Sequence, residues 1–189
     1  MTQLHTEQGL VKVPAGTWKV DRTHSSVGFE VKHMMIATVR GHFGSFDGTL
    51  EADEDPERSH AYGWVEVASI DTGSPDRDAH LRSPDFFDVE RYPRMTFDST
   101  RIQWVESGTY RVWGDLTIKD VTHEVEAEAT VKGAGQDPWG NERVGIAIRG
   151  SIDRTEFGLS WNQPVASGGI LVGEDVKLVL DVSAVRESR

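Results

Sequence analysis

Residues 109–131 read TYRVWGDLTIKDVTHEVEAEATV, and apolar and polar side chains alternate along most of this stretch. In the first half, one side of the predicted strand carries Tyr110, Val112, Gly114, Leu116 and Ile118. In the second half, one side carries Val121, Val125, Ala127, Ala129 and Val131. A period of two residues is that of a β-strand with one buried face. Because only Lys119 and Asp120 separate the two halves, the stretch predicts an antiparallel hairpin with one apolar face.

The same alternation recurs on both sides of this hairpin. Further apolar faces are formed by Val27, Phe29 and Val31, by Val144, Ile146, Ile148 and Ile152, and by Val176, Leu178, Leu180, Val182 and Ala184. After Phe43 the pattern slips by one place near Gly44 and resumes at Phe46, which indicates a β-bulge. About seven or eight long strands follow, and an open sheet of them would leave edges and an apolar face uncovered. We therefore expect an all-β fold whose antiparallel strands close into a barrel or pack as a sandwich.

One segment interrupts the alternation. Residues 78–93 read DAHLRSPDFFDVERYP. Just before them, Ser74, Pro75 and Asp76 have the form of a helix start, and Pro84 ends the helix because the residue before a proline avoids the helical region. The sequence predicts a short helix over about 75–82, followed by a turn that presents Phe86 and Phe87. This helical crossing between two strands is expected to lie over one end of the barrel, where the two phenylalanines seal an apolar interior.

Length and composition favour one domain. The chain has 189 residues, and its clearest loop signal, GAGQDPWGN at 133–141, is too short to be a domain linker. The polar N-terminal segment 1–16 is predicted to be flexible, and residues 17–189 are predicted to form a single β-barrel domain. The first 20 residues contain no apolar core of a signal peptide, so a cytoplasmic location is the expectation.

The charge and the residue types exclude several kinds of function. A formal net charge of −11 argues against nucleic acid and anionic membrane surfaces as partners. No run approaches the roughly 18 apolar residues of a membrane span, so no membrane insertion is expected. The chain has no cysteine and no H-E-x-x-H. His24, His33 and His42 recur every nine residues, but an odd spacing alternates faces on a strand, so we expect no metal site and no required cofactor.

Several long stretches resemble the YceI-like family, also called polyisoprenoid-binding proteins. They are WKVDRTHSSVGFEVKHMMIATVRGHFGSFDGTL, RDAHLRSPDFFDVERYPRMTFDST, GDLTIKDVTHEV and IDRTEFGL, and the similarity runs from about Thr17 to Arg186. The resemblance implies an elongated, lipocalin-like antiparallel β-barrel of about eight strands with a helix near its mouth. It also implies a lumen that holds an amphiphilic lipid, such as a polyisoprenoid or an isoprenoid quinone, and a homodimer. Relatives are often periplasmic, but because the first residues show no signal peptide, a periplasmic location is not the expectation here.

Candidate residues follow from the predicted faces and from the helical segment. Those expected to contact a lipid are Phe29, Val31, Phe43, Phe86, Phe87, Phe97, Tyr110, Val112, Leu116 and Ile118. For each of them, packing in a filled core is the alternative, because eight-stranded barrels occur both filled and hollow. We expect a phosphate head group to bind to Arg77, His80 and Arg82 on the helix. The alternative is that these three side chains pair with neighbouring aspartates and hold the helix in place.

Three classes of function remain open from the sequence. The first, which we expect, is a non-enzymatic protein that carries, stores or shields a long-chain lipid. The second is an enzyme in which His80, Arg82 and Tyr110 act on a bound lipid at the barrel mouth. The third is a solid barrel that serves as an interaction module. A further short pattern, Gly16-x-Trp18, is shared with lipocalins, and its simpler interpretation is a tryptophan that plugs the closed end of the barrel.

Overall fold

The computed structural model describes residues 5–7 and 10–188, with side chains from Lys12 onward. A two-stranded hairpin of β1 (His5–Glu7) and β2 (Leu10–Lys12) precedes the main sheet. The main sheet contains β3 (Gly16–Val20), β4 (Ser26–His33), β5 (Ala37–Phe43), β6 (Phe46–Ala52), β7 (His60–Glu66), β8 (Ile70–Asp71), β9 (Arg94–Glu106), β10 (Thr109–Ile118), β11 (Val121–Gln136), β12 (Glu142–Asp153) and β13 (Val172–Arg186). One α-helix, α1 (Pro75–Arg82), lies between β8 and β9.

The sheet closes on itself into a barrel. Its strands pair in the order β3, β6, β7, β9, β10, β11, β12 and β13, and β13 pairs back with β3. Every pairing is antiparallel. The remaining strands β4, β5 and β8 continue β3, β6 and β7 beyond short interruptions and pair with one another and with β13. The result is a closed antiparallel barrel of eight long strands, three of them interrupted, and it confirms the predicted fold.

The interruptions explain the irregularities in the sequence pattern. The predicted slip near Gly44 is the break between β5 and β6, where the Gly44 amide donates to the Ser69 carbonyl over 3.1 Å. A 3-10 turn, Val67–Ser69, interrupts the next strand at the same height. Beyond that turn β8 pairs with β5 but not with β9, and α1 follows directly. The helix therefore lies beside a gap in the barrel wall, at the end of the barrel that we call the α1 end.

The helix itself has the predicted bounds. Ser74 is its N-cap residue, and Pro75 occupies the first helical position. The Ser74 side chain makes no capping hydrogen bond; its carbonyl accepts from the Asp78 amide over 2.9 Å. Asp78 is buried, and its carboxylate accepts from the amide and the hydroxyl of Thr72 over 2.9 and 2.6 Å. These bonds attach the first turn of α1 to the end of β8.

The predicted loop at 133–141 and the predicted flexible segment 1–16 both contain strand residues. The predicted loop at 133–141 is wrong in its first half, because β11 continues to Gln136 and Ala134 pairs with Val144 inside the barrel. Glycine in a strand was taken for a turn signal, whereas it accompanies a shift in register at Gly133. The predicted flexible segment 1–16 contains the β1–β2 hairpin and the first residue of β3, and its residues 1–4 and 8–9 lie outside the described part.

Packed side chains concentrate at the two ends of the barrel. One cluster contains Trp18, Val144 and Ala184 and marks the end opposite α1, which we call the Trp18 end. At the α1 end, a second cluster forms around Phe86, Ile118, Phe157 and Leu159, and a third around Phe43, Val67 and Ile70. Among the helices of the described chain, none has the length and apolar character needed to cross a bilayer.

Candidate functional site

Strand register arranges the inner face of the barrel in rows. One row crosses the wall from β4 to β9 and consists of Phe29, Leu178, Gly150, Ala127, Val112 and Ile102. The adjacent row, one step closer to the Trp18 end, consists of Val27, Leu180, Ile148, Ala129 and Tyr110. Because directly paired residues share a face, Phe29 and Val112 line the same interior although they lie far apart in the sequence. Leu116 and Phe97 form a further pair on β10 and β9.

The inner face is less tightly packed in the middle of the barrel than at its two ends. Many inward side chains are only partly buried, namely Phe29, Val31, Phe97, Val112, Leu116, Ile148, Leu178 and Leu180. The opposite face of the same strands carries charged residues such as Glu30, Lys177 and Arg149, so the exposed part of the apolar side chains faces the interior. Interiors packed at normal density leave no such accessible area. By contrast, Phe43, Phe86 and Ile118 are at most 6% exposed and belong to the packed clusters of the α1 end, while Tyr110 is 7% exposed.

Small residues and rings that lie over glycines limit the bulk of the inner face. Gly150 and Ala127 stand side by side in the middle of the first row and add almost no bulk to the interior. The ring of Phe29 lies flat over Gly41 on the neighbouring strand, where an added Cβ would be only 2.7 Å from its Cε1 atom. In the same way, Phe97 lies over Gly114, where a Cβ would be 2.5 Å from its Cε2 atom. Each ring therefore covers a glycine of the neighbouring strand.

Trp18 closes one end of this interior. Its side chain is 1% exposed, packs against Val144 and Ala184, and donates from Nε1 to the Pro14 carbonyl over 2.8 Å. The Arg186 guanidinium lies 5.9 Å from the centre of the indole ring. An indole with a satisfied N–H and no remaining exposure fits the interpretation of the Gly16-x-Trp18 pattern as a plug.

An arginine clasp fastens the Trp18 end from outside. Arg143 on β12 donates to Asp21 over 2.6 Å and to Asp137 over 2.8 Å. Hydrogen bonds from Arg143 and then His24 hold the pKa of the Asp21 carboxyl far below its ordinary value. Hydrogen bonds from Asn141 and Arg143 lower the pKa of Asp137 to about 2. The clasp joins the end of β3 to the β11–β12 turn.

We expect Arg143→Gln to lower stability in a pH-dependent way. A carboxyl whose pKa is lower in the folded state stabilises the fold above the unfolded pKa of about 4, and this stabilisation disappears as pH falls through the folded pKa. The difference in urea midpoint between wild type and Arg143→Gln should therefore be full at pH 7 and shrink between about pH 4 and pH 2. Arg40→Gln, which breaks the exposed ion pair with Glu30, is the control and should change little. Equal midpoints at pH 7 would show that the clasp adds no stability.

Phe86 and Phe87 lie at the α1 end, as the sequence predicts. Phe86 is 5% exposed and packs with Ile118 and Phe157. Phe87 meets Phe43 edge to face, with ring centres 6.3 Å apart, and so joins the neighbouring cluster. Phe86 thus belongs to one cluster and Phe87 packs against both, so the helical segment is connected to both clusters at this end.

The three head-group candidates are all engaged in contacts within the chain. Arg77 donates to the hydroxyl and carbonyl of Thr72 over 2.7 and 2.8 Å. Arg82 donates to the carbonyls of residues 68 and 70, each over 2.8 Å. His80 bonds Asp85 over 2.8 Å and meets the Trp161 ring edge to face at 4.6 Å. Of the pairings with aspartate that the sequence suggested, only His80 with Asp85 occurs among the described contacts; a role of these residues towards a head group stays a prediction.

Arg154 is a residue of this end that the site prediction missed. It is 4% exposed and donates to the backbone carbonyls of Leu159, Val172 and Gly173. Burial lowers its pKa, while Glu174 and Asp153 act in the opposite direction. The side chain holds both ends of the long β12–β13 connection against the barrel. Its position in the stretch IDRTEFGL was the available signal.

The histidines of the recurring pattern do not come together in the described structure. His24 bonds Asp21 over 2.8 Å in a 3-10 turn, whereas His33 pairs with Ala37 and His42 pairs with Gly28. In the part of the chain that the structure describes, no group of three or more His, Asp or Glu side chains is placed to hold a metal ion. The prediction that no metal is required stays a prediction.

Known proteins resemble this chain over most of its length. The model of the YceI-like domain matches residues 18–184. A UPF0312 protein of Staphylococcus epidermidis is 38% identical over 159 residues, which cover 83% of this chain and 90% of that protein. A UPF0312 protein of Staphylococcus aureus is 36% identical over the same share of both chains.

Solved structures share the fold. The crystal structure of Burkholderia cenocepacia BcnA superimposes with a TM-score of 0.76 at 25% identity, over 87% of this chain and 98% of that one. Campylobacter jejuni YceI protein gives a TM-score of 0.68 at 26% identity, over 89% and 97%. A polyisoprenoid binding domain from Saccharophagus degradans gives 0.69 at 14% identity, over 90% and 98%, a likeness that shows the fold alone.

Proposed function

The chain belongs to the YceI-like family, and on that premise we propose that its barrel binds one long-chain amphiphilic lipid, such as a polyisoprenoid or an isoprenoid quinone. The observation that supports this most is the inner row of small or only partly buried residues formed by Phe29, Leu178, Gly150, Ala127 and Val112. Each CH₂ group moved from water to an apolar lumen contributes about 0.8 kcal/mol. An elongated lumen of this chemistry therefore favours a long hydrocarbon chain over a compact polar metabolite.

We also propose a partner on the inner face for a polar group of the ligand. Tyr110 lies in the row nearer the Trp18 end and is 7% exposed. Burial raises the pKa of its hydroxyl, so the phenol stays protonated at neutral pH and can donate a hydrogen bond. A quinone carbonyl is an acceptor of the required kind. A phosphate head group would instead be expected outside the barrel, near the basic residues of α1.

The proposed role is binding without turnover, for carriage, storage or shielding of the lipid. An enzyme would need His80, Arg82 and Tyr110 to converge on one reacting group. His80 and Arg82 lie on α1, whereas Tyr110 lies near the β9–β10 turn at the other end of the barrel. His80 and Arg82 are also bonded to Asp85 and to backbone carbonyls. A homodimer and a cytoplasmic location stay predictions beside this proposal.

Organic extraction of protein purified without detergent, followed by mass spectrometry, tests the binding function. We expect about one lipid per chain, and we expect the delipidated protein to melt at a lower temperature, because a ligand that binds only the folded state adds stability. Adding back a polyprenol or a quinone should restore the melting temperature. An empty extract, together with a melting temperature that no polyprenol or quinone changes, would contradict the proposal.

A further inference from the structure

The turn between β4 and β5 exposes apolar side chains at the α1 end. Met34, Met35 and Ile36 are 38, 64 and 82% exposed. Met34 and Met35 have φ angles of +52° and +59°, in the left-handed region that costs a non-glycine residue stability. Two-residue turns of this kind favour Asn and Gly. The chain thus accepts backbone strain at a position where it also exposes apolar side chains to water, a combination that is typical of functional segments.

From Phe157 onward, the neighbouring connection between β12 and β13 contains no charged side chain. From Phe157 to Gly173 the sequence is FGLSWNQPVASGGILVG, although charged residues make up 27% of the chain. Much of this segment lies on the surface, where a soluble protein normally places charged side chains. It folds back on itself, with Pro164 opposite Ile170 and the Leu171 amide bonded to the Gln163 carbonyl over 2.9 Å.

The two segments form one continuous surface. The Met34 amide donates to the Leu171 carbonyl over 2.8 Å, and His33 pairs with Val172. We call Met34–Ile36 together with residues 163–171 the neutral rim. It continues the inner wall directly, because β4 carries Phe29 and Val31 on its inner face and ends at His33. Between Lys32 and Arg40 the sequence of the turn also contains no acidic or permanently charged side chain.

From these observations we infer that the neutral rim docks on the surface of a zwitterionic phospholipid bilayer. Its exposed apolar side chains are too few to form a protein interface, which buries about 800 Å² on each partner. They suffice for shallow insertion among head groups, where affinity grows with the apolar area buried. A charged surface would have to lose its water of hydration there, and the neutral rim avoids that cost. The net charge of −11 favours a zwitterionic over an anionic surface.

The inference rests on the proposed function, because docking serves to pass lipid between a bilayer and the lumen. A long-chain lipid that leaves a bilayer through water exposes its whole tail, at about 0.8 kcal/mol for each CH₂ group. Contact between the neutral rim and the bilayer shortens the path of the tail through water. The wall formed by β4 offers Val31 and Phe29 as the next apolar contacts after the turn.

Flotation of the purified full chain with phosphatidylcholine vesicles tests the docking. The wild type should float with the vesicles, and Ile36→Glu should reduce the bound fraction by more than about tenfold, because it removes one inserted apolar side chain and adds a charge. Trp139→Glu is the matched control, since Trp139 is 80% exposed in the β11–β12 turn at the opposite end. It should float like the wild type. Ile36→Ser provides a second, uncharged variant with a smaller expected loss.

The outcomes separate docking from lipid binding, which the extraction experiment measures independently. Wild-type protein that carries lipid but does not float would overturn the docking and leave the proposed function intact. Equal losses for Ile36→Glu and Trp139→Glu would also overturn it, because the surface would then not be the neutral rim. So would a change in molar mass by light scattering for Ile36→Glu with unchanged flotation, which would identify the turn as a contact between two copies. A floating wild type without extractable lipid supports the docking and contradicts the proposed function.

Discussion

Ala127→Trp is expected to fold and to lose its bound lipid. Ala127 lies on the inner face beside Gly150, and in the proposed lumen an indole at this position occupies the space that several CH₂ groups of a ligand would fill. Since each CH₂ contributes about 0.8 kcal/mol, the lipid content should fall by more than tenfold. In a hollow barrel the delipidated variant should melt close to the delipidated wild type. In a filled barrel the same substitution would overpack the core and cost about 1–3 kcal/mol or more.

Glu128→Trp is the matched control for this variant. Glu128 is the next residue on β11 and points to the outer face, where it is exposed. The Glu128→Trp variant should keep both the stability and the lipid content of the wild type. Lipid content by extraction and the free energy of unfolding by urea are the two measurements. If Ala127→Trp retains a full complement of lipid, the lipid does not occupy the row of Phe29 and Val112. Ala127→Leu, with a smaller side chain, gives an intermediate loss that keeps the test valid should the indole prevent folding.

Gly41→Ala is expected to have the second largest effect. The added Cβ would lie 2.7 Å from Cε1 of Phe29 and 3.0 Å from Cγ2 of Thr72, so the Phe29 ring must swing away from the wall. Forcing extra atoms into such a contact costs about 1–3 kcal/mol. The displaced ring also enters the lumen, so lipid affinity should fall together with stability. Urea unfolding of the delipidated protein and lipid titration measure the two effects separately.

A second substitution tests whether the ring is the cause. In the Gly41→Ala background, Phe29→Leu removes the clash, so the double variant should be more stable than Gly41→Ala alone, and the two changes should be non-additive. Gly135→Ala is the control, because a Cβ there meets nothing within 4 Å. It should be neutral or slightly stabilising, by up to about 1 kcal/mol. Additive effects of Gly41→Ala and Phe29→Leu would mean that the glycine does not serve as a seat for the ring.

Local patterns in the sequence determined a large part of the architecture. Alternation assigns each residue of a strand to one of two faces, because successive side chains in a strand point to opposite sides. The β10–β11 hairpin with its turn at Lys119 and Asp120 is therefore present as predicted. The bounds of α1 follow from Pro75 and from Pro84, whose backbone restrictions act on the adjacent residues alone. The slip in the alternation at Gly44 is of the same local kind, although the structure has a break between β5 and β6 there and not the predicted β-bulge.

The site depended on contacts that no local pattern encodes. The alternation of apolar and polar residues predicts that Phe29 faces inward. Only the strand register of the closed barrel determines that Gly41 lies under the Phe29 ring and that Leu178 lies beside it. Arg143 and Asp21 are distant in the sequence, and the closure of β13 onto β3 brings their strands together. From the sequence, Arg77 and Arg82 could equally have paired with carboxylates of α1. In the structure they donate to backbone carbonyls at the end of β8, namely those of Thr72 and Ile70.

The sequence by itself thus determined which face of each strand is apolar, where α1 begins and ends, and that the apolar faces must be enclosed. It did not determine which of the inward side chains pack against others inside the barrel. Phe43 and Ile118 are buried in packed clusters, whereas Phe29 and Val112 are only partly buried, and all four have the same alternating pattern. The difference arises from the position of each residue along the barrel, because Phe86, Phe87 and Phe157 pack against the inner face at the α1 end. These contacts join distant parts of the chain, and so only the tertiary structure decided which inward residues are packed.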